Sequence, residues 1–138
     1  MIDATPDERL SLTRRTMSLL DGWGLGATDI ARLLELPETV KTRSMGRFRA
    51  DAPFPSDPTV DRRVAYLLRI EEALRTYFPR NPEMRHLWVK RGNRQFGRRA
   101  PLAVMVEDGD SGLIAVLCHL DCTFAWDLTG SKAEHGTR

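Results

Sequence analysis

Cys118, His119 and Cys122 are the residues whose types invite chemistry first. A thiol beside an imidazole can ligate a soft metal or form an activated nucleophile. A closed metal site needs about four ligands, however, and none stand at zinc-like spacing nearby. Adjacent residues on one helix also project in different directions, so Cys118 and His119 do not make a thiol–base pair. His86 and His135 lack any nucleophile motif. The acidic pairs Glu71-Glu72 and Glu107-Asp108 have no glycine-rich phosphate loop to serve. The two cysteines therefore read as small buried groups on a helix face, reduced in a cytosolic compartment. No catalytic residue, metal or cofactor is expected.

Charge is the next candidate for chemistry. The net charge is only +2, but its distribution is lopsided. Between Asp61 and Arg99 stand eleven bases and four acids, whereas from Ala100 onward there are two bases and six acids. Arg85 to Arg99 holds six bases and no acid. Such a patch favours an anionic partner, either phosphate or an acidic protein surface.

The elements that must position these groups read as helices throughout, with no strand and no internal repeat. Composition is that of a folded chain, 41% apolar and 29% charged, which argues against disorder. No apolar stretch approaches a membrane span, and the N-terminus lacks the basic and apolar segments of a signal peptide. A cytoplasmic location with no membrane attachment is the expectation.

A first helix starts near Pro6-Asp7-Glu8, ends at Asp21-Gly22 and presents Leu12, Thr16, Leu19 and Leu20. A second runs from Ala27 through Leu34, with Ile30, Leu33 and Leu34 inward. A third is expected from Pro37 to about Met45. The long helix Thr59–Phe78 and a helix capped by Asn81-Pro82 follow. After a loop over Arg91–Arg99, one short helix begins at Pro101, and a last one runs from about Gly112 to Phe124, capped by Ser111. These elements divide the chain into 1–50, a proline-rich linker 51–58, a helical unit 59–128 and a polar tail 129–138.

Gly26–Met45 has the form of a helix-turn-helix. In such a unit the second helix offers Thr39, Lys41, Thr42 and Arg43 to a DNA groove, and Arg47 and Arg49 reach phosphates. Four bases against one acid between Glu38 and Arg49 are compatible with that use. A purely structural helical hairpin is the competing reading.

A set of landmarks spans the second half: Trp88, Asn93, Gly97, Pro101-Leu102, Met105, Gly109, Leu113, Leu117 and Asp121. In order and spacing this run resembles the toxin-binding domain of the Xre/MbcA/ParS antitoxins. The region before it resembles their Xre-like N-terminal helix-turn-helix, so the likeness spans about Leu10 to Asp121. The resemblance implies a type II antitoxin that blocks a neighbouring RES-domain toxin acting on NAD+, by degradation or by ADP-ribose transfer. It also implies self-association through the N-terminal helices and repression of its own operon.

A physical account of blocking accompanies that implication. A pocket for anionic NAD+ should be basic, so Asp121, Asp127, Glu134 and the carboxylate at Arg138 are candidates to enter it. Phe124 and Trp126 are candidate anchors, since aromatic side chains dominate interface energetics. Arg94, Arg98 and Arg99 in the basic loop are candidates to clamp an acidic toxin rim through paired hydrogen bonds. Trp88, Asn93, Gly97 and Pro101 are expected to shape the fold instead. The alternative reading is a DNA-binding regulator of another operon whose C-terminal half serves dimerisation or a different partner.

Overall fold

Helix starts in this chain are written with unusual clarity, and the computed structural model, which describes residues 5–121, uses nearly all of them. Helix α1 (Pro6–Gly22) opens on a capping box: the Glu8 amide donates to Thr5 Oγ1 at 3.1 Å, and the Thr5 amide donates to Glu8 Oε1 at 2.8 Å. Helix α2 spans Ala27–Leu34 and α3 Arg47–Ala50. The long α4 (Pro58–Tyr77) starts where Asp57 accepts from the Thr59 and Val60 amides. Asn81 caps α5 (Pro82–Lys90) in the same way. Helices α6 (Pro101–Asp108) and α7 (Asp110–Leu120) complete an all-helical fold with no strand among the described residues.

Two boundary expectations need correction. The helix foreseen from Pro37 to Met45 is absent; turns and a 3₁₀ segment over Thr42–Ser44 stand in its place, followed by α3. Thr39, Val40 and Thr42 are β-branched and disfavour a short helix that has little else to stabilise it. Met45 and Phe48 meanwhile turn inward, and both are buried. The last helix also differs, ending at Leu120 and starting at Asp110 with Gly109 as cap in place of Ser111. Along α1 the buried stripe is Thr13, Thr16, Met17 and Leu20, rotated from the one read in the sequence.

The proline-rich stretch does not separate two units. Phe54 within it is buried, its ring 5.1 Å from that of Phe48, and its amide donates to the buried Thr13 Oγ1 at 2.9 Å. A single apolar cluster runs from Met17 to Leu120. Its centre is α4, which packs on α1, α2, α5 and α7. Leu113, Val116 and Leu117 of α7 are fully buried in it, each worth roughly 1.5–3 kcal/mol.

Two glycines let α6 and α7 approach. Gly109 turns the chain at φ 65 and ψ −135, a conformation that residues with a Cβ avoid. Gly112 then faces the Val104 carbonyl so closely that a Cβ would fall on that oxygen. Above this turn lies Arg63, almost wholly buried on α4. It donates from Nη1 to the Leu33 carbonyl at 3.0 Å and from Nε to Asp110 Oδ1 at 3.0 Å, with Nη2 3.3 Å from Glu35 Oε1. The Asp110 carboxyl is held below the ordinary carboxylate range, first by its hydrogen bond from Arg62, against the opposing effect of burial, with Arg63 adding to the depression.

Gly112→Ala is expected to lower stability by about 3 kcal/mol, the upper end for overpacking, because the obstacle is backbone; chemical denaturation measures it. A depressed carboxylate brings stability that is full above the unfolded value, about pH 4, and is lost as pH falls through the folded value. Asp110→Asn should therefore lower stability near about pH 7 and flatten its decline on acidification, as read by urea midpoints across pH.

Candidate partner-binding surface

The landmark residues converge on the second half of the fold, and most of them turn out to build it. Trp88 on α5 is half-buried and stacks on His119 of α7, with ring centroids 6.0 Å apart and planes within 14°. Phe96 meets the same imidazole edge-on at 5.6 Å. His119 is thus held between two aromatic rings. The neighbouring Cys118 thiol is pushed up by burial and by the Asp121 charge, away from the thiolate form a nucleophile needs. Pro101, Met105, Leu113 and Leu117 are buried, and Gly109 makes the α6–α7 turn. Asp121 accepts from Arg69 Nε at 3.0 Å, which ties the end of α7 to the side of α4.

The basic loop between α5 and α6 is a closed frame. The Asn93 amide donates to the Arg99 carbonyl at 3.1 Å, and the Arg98 amide returns to the Asn93 carbonyl at 2.9 Å. Asn93 Oδ1 accepts from the Gln95 amide at 2.8 Å, capping a 3₁₀ turn over Arg94–Phe96. Gly97 and Arg98 follow with consecutive positive φ values of 64 and 70. For glycine that angle is free; for arginine it costs about 1 kcal/mol or more, offset here by the closing hydrogen bonds. Gly92 has no room for a side chain, since a Cβ there would lie 2.7 Å from the Arg98 carbonyl oxygen.

This frame separates the loop's cations into two kinds. Arg99 is engaged internally: it reaches Asp108 at 2.9 and 3.1 Å and Glu107 at 2.8 Å. Its guanidinium is stabilised by those contacts, and Asp108 is correspondingly held below the usual carboxylate range by Arg99. Arg94 and Arg98 are exposed, and their guanidinium groups have no acid or other acceptor among the described residues. A rigid backbone presenting two free guanidinium groups suits a carboxylate-bearing or phosphate-bearing surface. Of the three loop arginines singled out in the sequence, two remain available and one serves the fold.

The other expected contacts divide similarly. Asp121 is engaged with Arg69, while Phe124, Trp126, Asp127 and Arg138 lie outside the described residues, as do Cys122 and Glu134. On the N-terminal side Thr39, Lys41, Thr42, Arg43 and Arg47 are exposed, but they sit on turns, the 3₁₀ segment and the start of α3, not on one reading helix. Arg47 lies over the Phe48 ring at 5.2 Å, and Arg49 is bound by Asp21 at 2.7 and 2.8 Å. No helix among the described residues is long and apolar enough to cross a membrane.

Sequence reasoning missed Arg63 and Gly112. Arg63 carried a signal: it falls three residues after Val60 and beside Val64, on the apolar face of α4. Gly112 carried none, because it reads only as the first residue of a helix capped by Ser111. No protein-family model matches the chain, and no curated protein matches it in sequence.

Asn93→Ala should lose the Gln95 cap and about 1 kcal/mol of stability. Amide hydrogen exchange of Gly97, Arg98 and Arg99 should then accelerate, while Asn93→Asp, which keeps the acceptor, should leave the protection in place.

Proposed function

We propose that this protein is the antitoxin of a type II toxin–antitoxin pair, acting by binding and occluding a RES-domain toxin that consumes NAD+. One observation carries the reading. Nearly every residue of the run that resembles the antitoxin domain has a structural task in one helical unit. Trp88 packs on α7, Asn93 and Gly97 close the loop, Pro101 and Met105 anchor α6, Gly109 turns the chain and Asp121 fastens the end of α7. Residues that recur because a fold requires them should fall at such joints, and here they do so together.

On this reading the unit contributes shape and charge and leaves the chemistry to its partner. Arg94 and Arg98 contact an acidic rim from the rigid loop. The segment after Asp121 starts from a point fastened to α4 by Arg69, and its Phe124, Trp126 and acidic groups enter the toxin cleft.

Cytoplasmic action and self-association through the N-terminal helices belong to the same proposal. Autorepression has weaker support, because the helix that would read a DNA groove is not formed and its candidate residues are spread over turns. The alternative of a regulator that works chiefly through this segment is disfavoured for the same reason.

Co-expression tests the central reading. The full chain should relieve growth arrest caused by the RES-domain toxin encoded beside it and should restore cellular NAD+. Persistent arrest in the presence of soluble protein would falsify it. Removing Trp126–Arg138 should leave the thermal unfolding transition in place and impair neutralisation; undiminished rescue by the shortened chain excludes the tail from the mechanism.

A further inference from the structure

A second surface lies beside the loop that carries Arg94 and Arg98. Between the α1–α2 turn, α2, the end of α5 and α6 is an open groove of about 330 Å³. Its apolar floor is made by the half-buried Leu25, Leu102 and Val106. On its rim stand Arg32 and Lys90, both exposed and neither ion-paired among the described residues, with Asp29 as the one acid not already engaged. Glu107, also at the edge, is held by Arg99.

Lys90 is placed there by a neighbour's missing side chain. Its Nζ lies 3.2 Å from where a Cβ of Gly24 would be, and Gly24 has φ +82, so ammonium and bare backbone fit against each other. Two free cations beside an apolar floor match a carboxylate attached to an apolar group. A nucleic-acid backbone fits less well, because its phosphates have no use for the apolar floor.

We propose that this groove docks a short segment of the protein partner, one that sets an apolar side chain on Leu25, Leu102 and Val106 and a neighbouring carboxylate against Arg32 and Lys90. The inference rests on the antitoxin reading, which makes the toxin that partner, and it adds a contact distinct from the cleft-filling tail. The loop bearing Arg94 and Arg98 leaves from Lys90 and returns at Ala100, and both of these residues line the groove. One partner surface therefore spans loop and groove together.

The test uses the full chain and the cognate toxin, with affinity read by titration calorimetry. Arg32→Glu with Lys90→Glu should weaken binding at least about tenfold, and Arg32→Gln with Lys90→Gln by a smaller factor, since removing a desolvated charge pair acts through dissociation. Lys41→Glu with Arg80→Glu alters net charge equally at exposed positions elsewhere and should stay within about threefold of the wild type. Equal affinity of both groove variants and the wild type overturns the docking site and leaves the antitoxin reading standing. A groove variant no weaker than the charge-matched control also overturns it, reducing the effect to long-range attraction. No complex with the wild-type chain overturns both.

Discussion

A guanidinium almost removed from water sits where α2, α4 and the α6–α7 turn meet. Taking such a charge out of solvent costs several kcal/mol unless its donors are satisfied. Arg63 satisfies them with the Leu33 carbonyl at the end of α2, the Asp110 carboxylate at the start of α7 and Glu35. Each partner is thereby fixed in turn. Glu35 holds a left-handed backbone angle, φ 54, that a glutamate adopts only under constraint. Gly109 must be glycine twice over, for its own backbone angle and because a Cβ would come within 2.9 Å of Arg63 Nη2. The arginine thus ties the N-terminal helices to the unit that carries the landmark residues.

Around that tie the arginines fall into two populations. Arg49, Arg62, Arg69 and Arg99 are paired with acids across helices and hold elements in register. Exposed pairs of this kind contribute little individually, with a typical value of about 0–1 kcal/mol, so their value here is geometric. Among the described residues Arg32, Lys90, Arg94 and Arg98 have no acid partner and lie on the loop between α5 and α6 and the groove beside it, while Lys41, Arg43 and Arg80, also without one, stand elsewhere. A surplus of unpaired cations at one place is the electrostatic form expected of a surface awaiting an acidic partner.

Local rules carried much of the architecture. The Asn81 cap, prolines at helix starts, the apolar side of the long helix and the Ile30/Leu33/Leu34 stripe located α2, α4, α5 and α6 within a residue or so. They failed over Pro37–Met45, where a start at Pro37 and a stop at Gly46 suggested a helix but burial of Met45 and Phe48 imposed a tighter path. They failed also at Phe54, because a proline-rich segment gives no hint that one of its side chains will be swallowed by the core. At the candidate surface, the excess of positive charge was legible, whereas its division into engaged Arg99 and free Arg94 and Arg98 depends on contacts between positions eight and nine apart. Gly112 is the extreme case, since its role exists only once α6 lies against it.

Phe54 has a consequence for how the molecule comes apart. Its ring and amide join α1 and α3 to the segment that leads into α4, and Arg63 makes a second join, from α4 to the end of α2 and the start of α7. Neither half can melt without stripping water-excluded partners from the other, so denaturation should be all-or-none instead of stepwise. Cutting the polypeptide near its proline-rich stretch would then yield two aggregation-prone fragments, not two working modules.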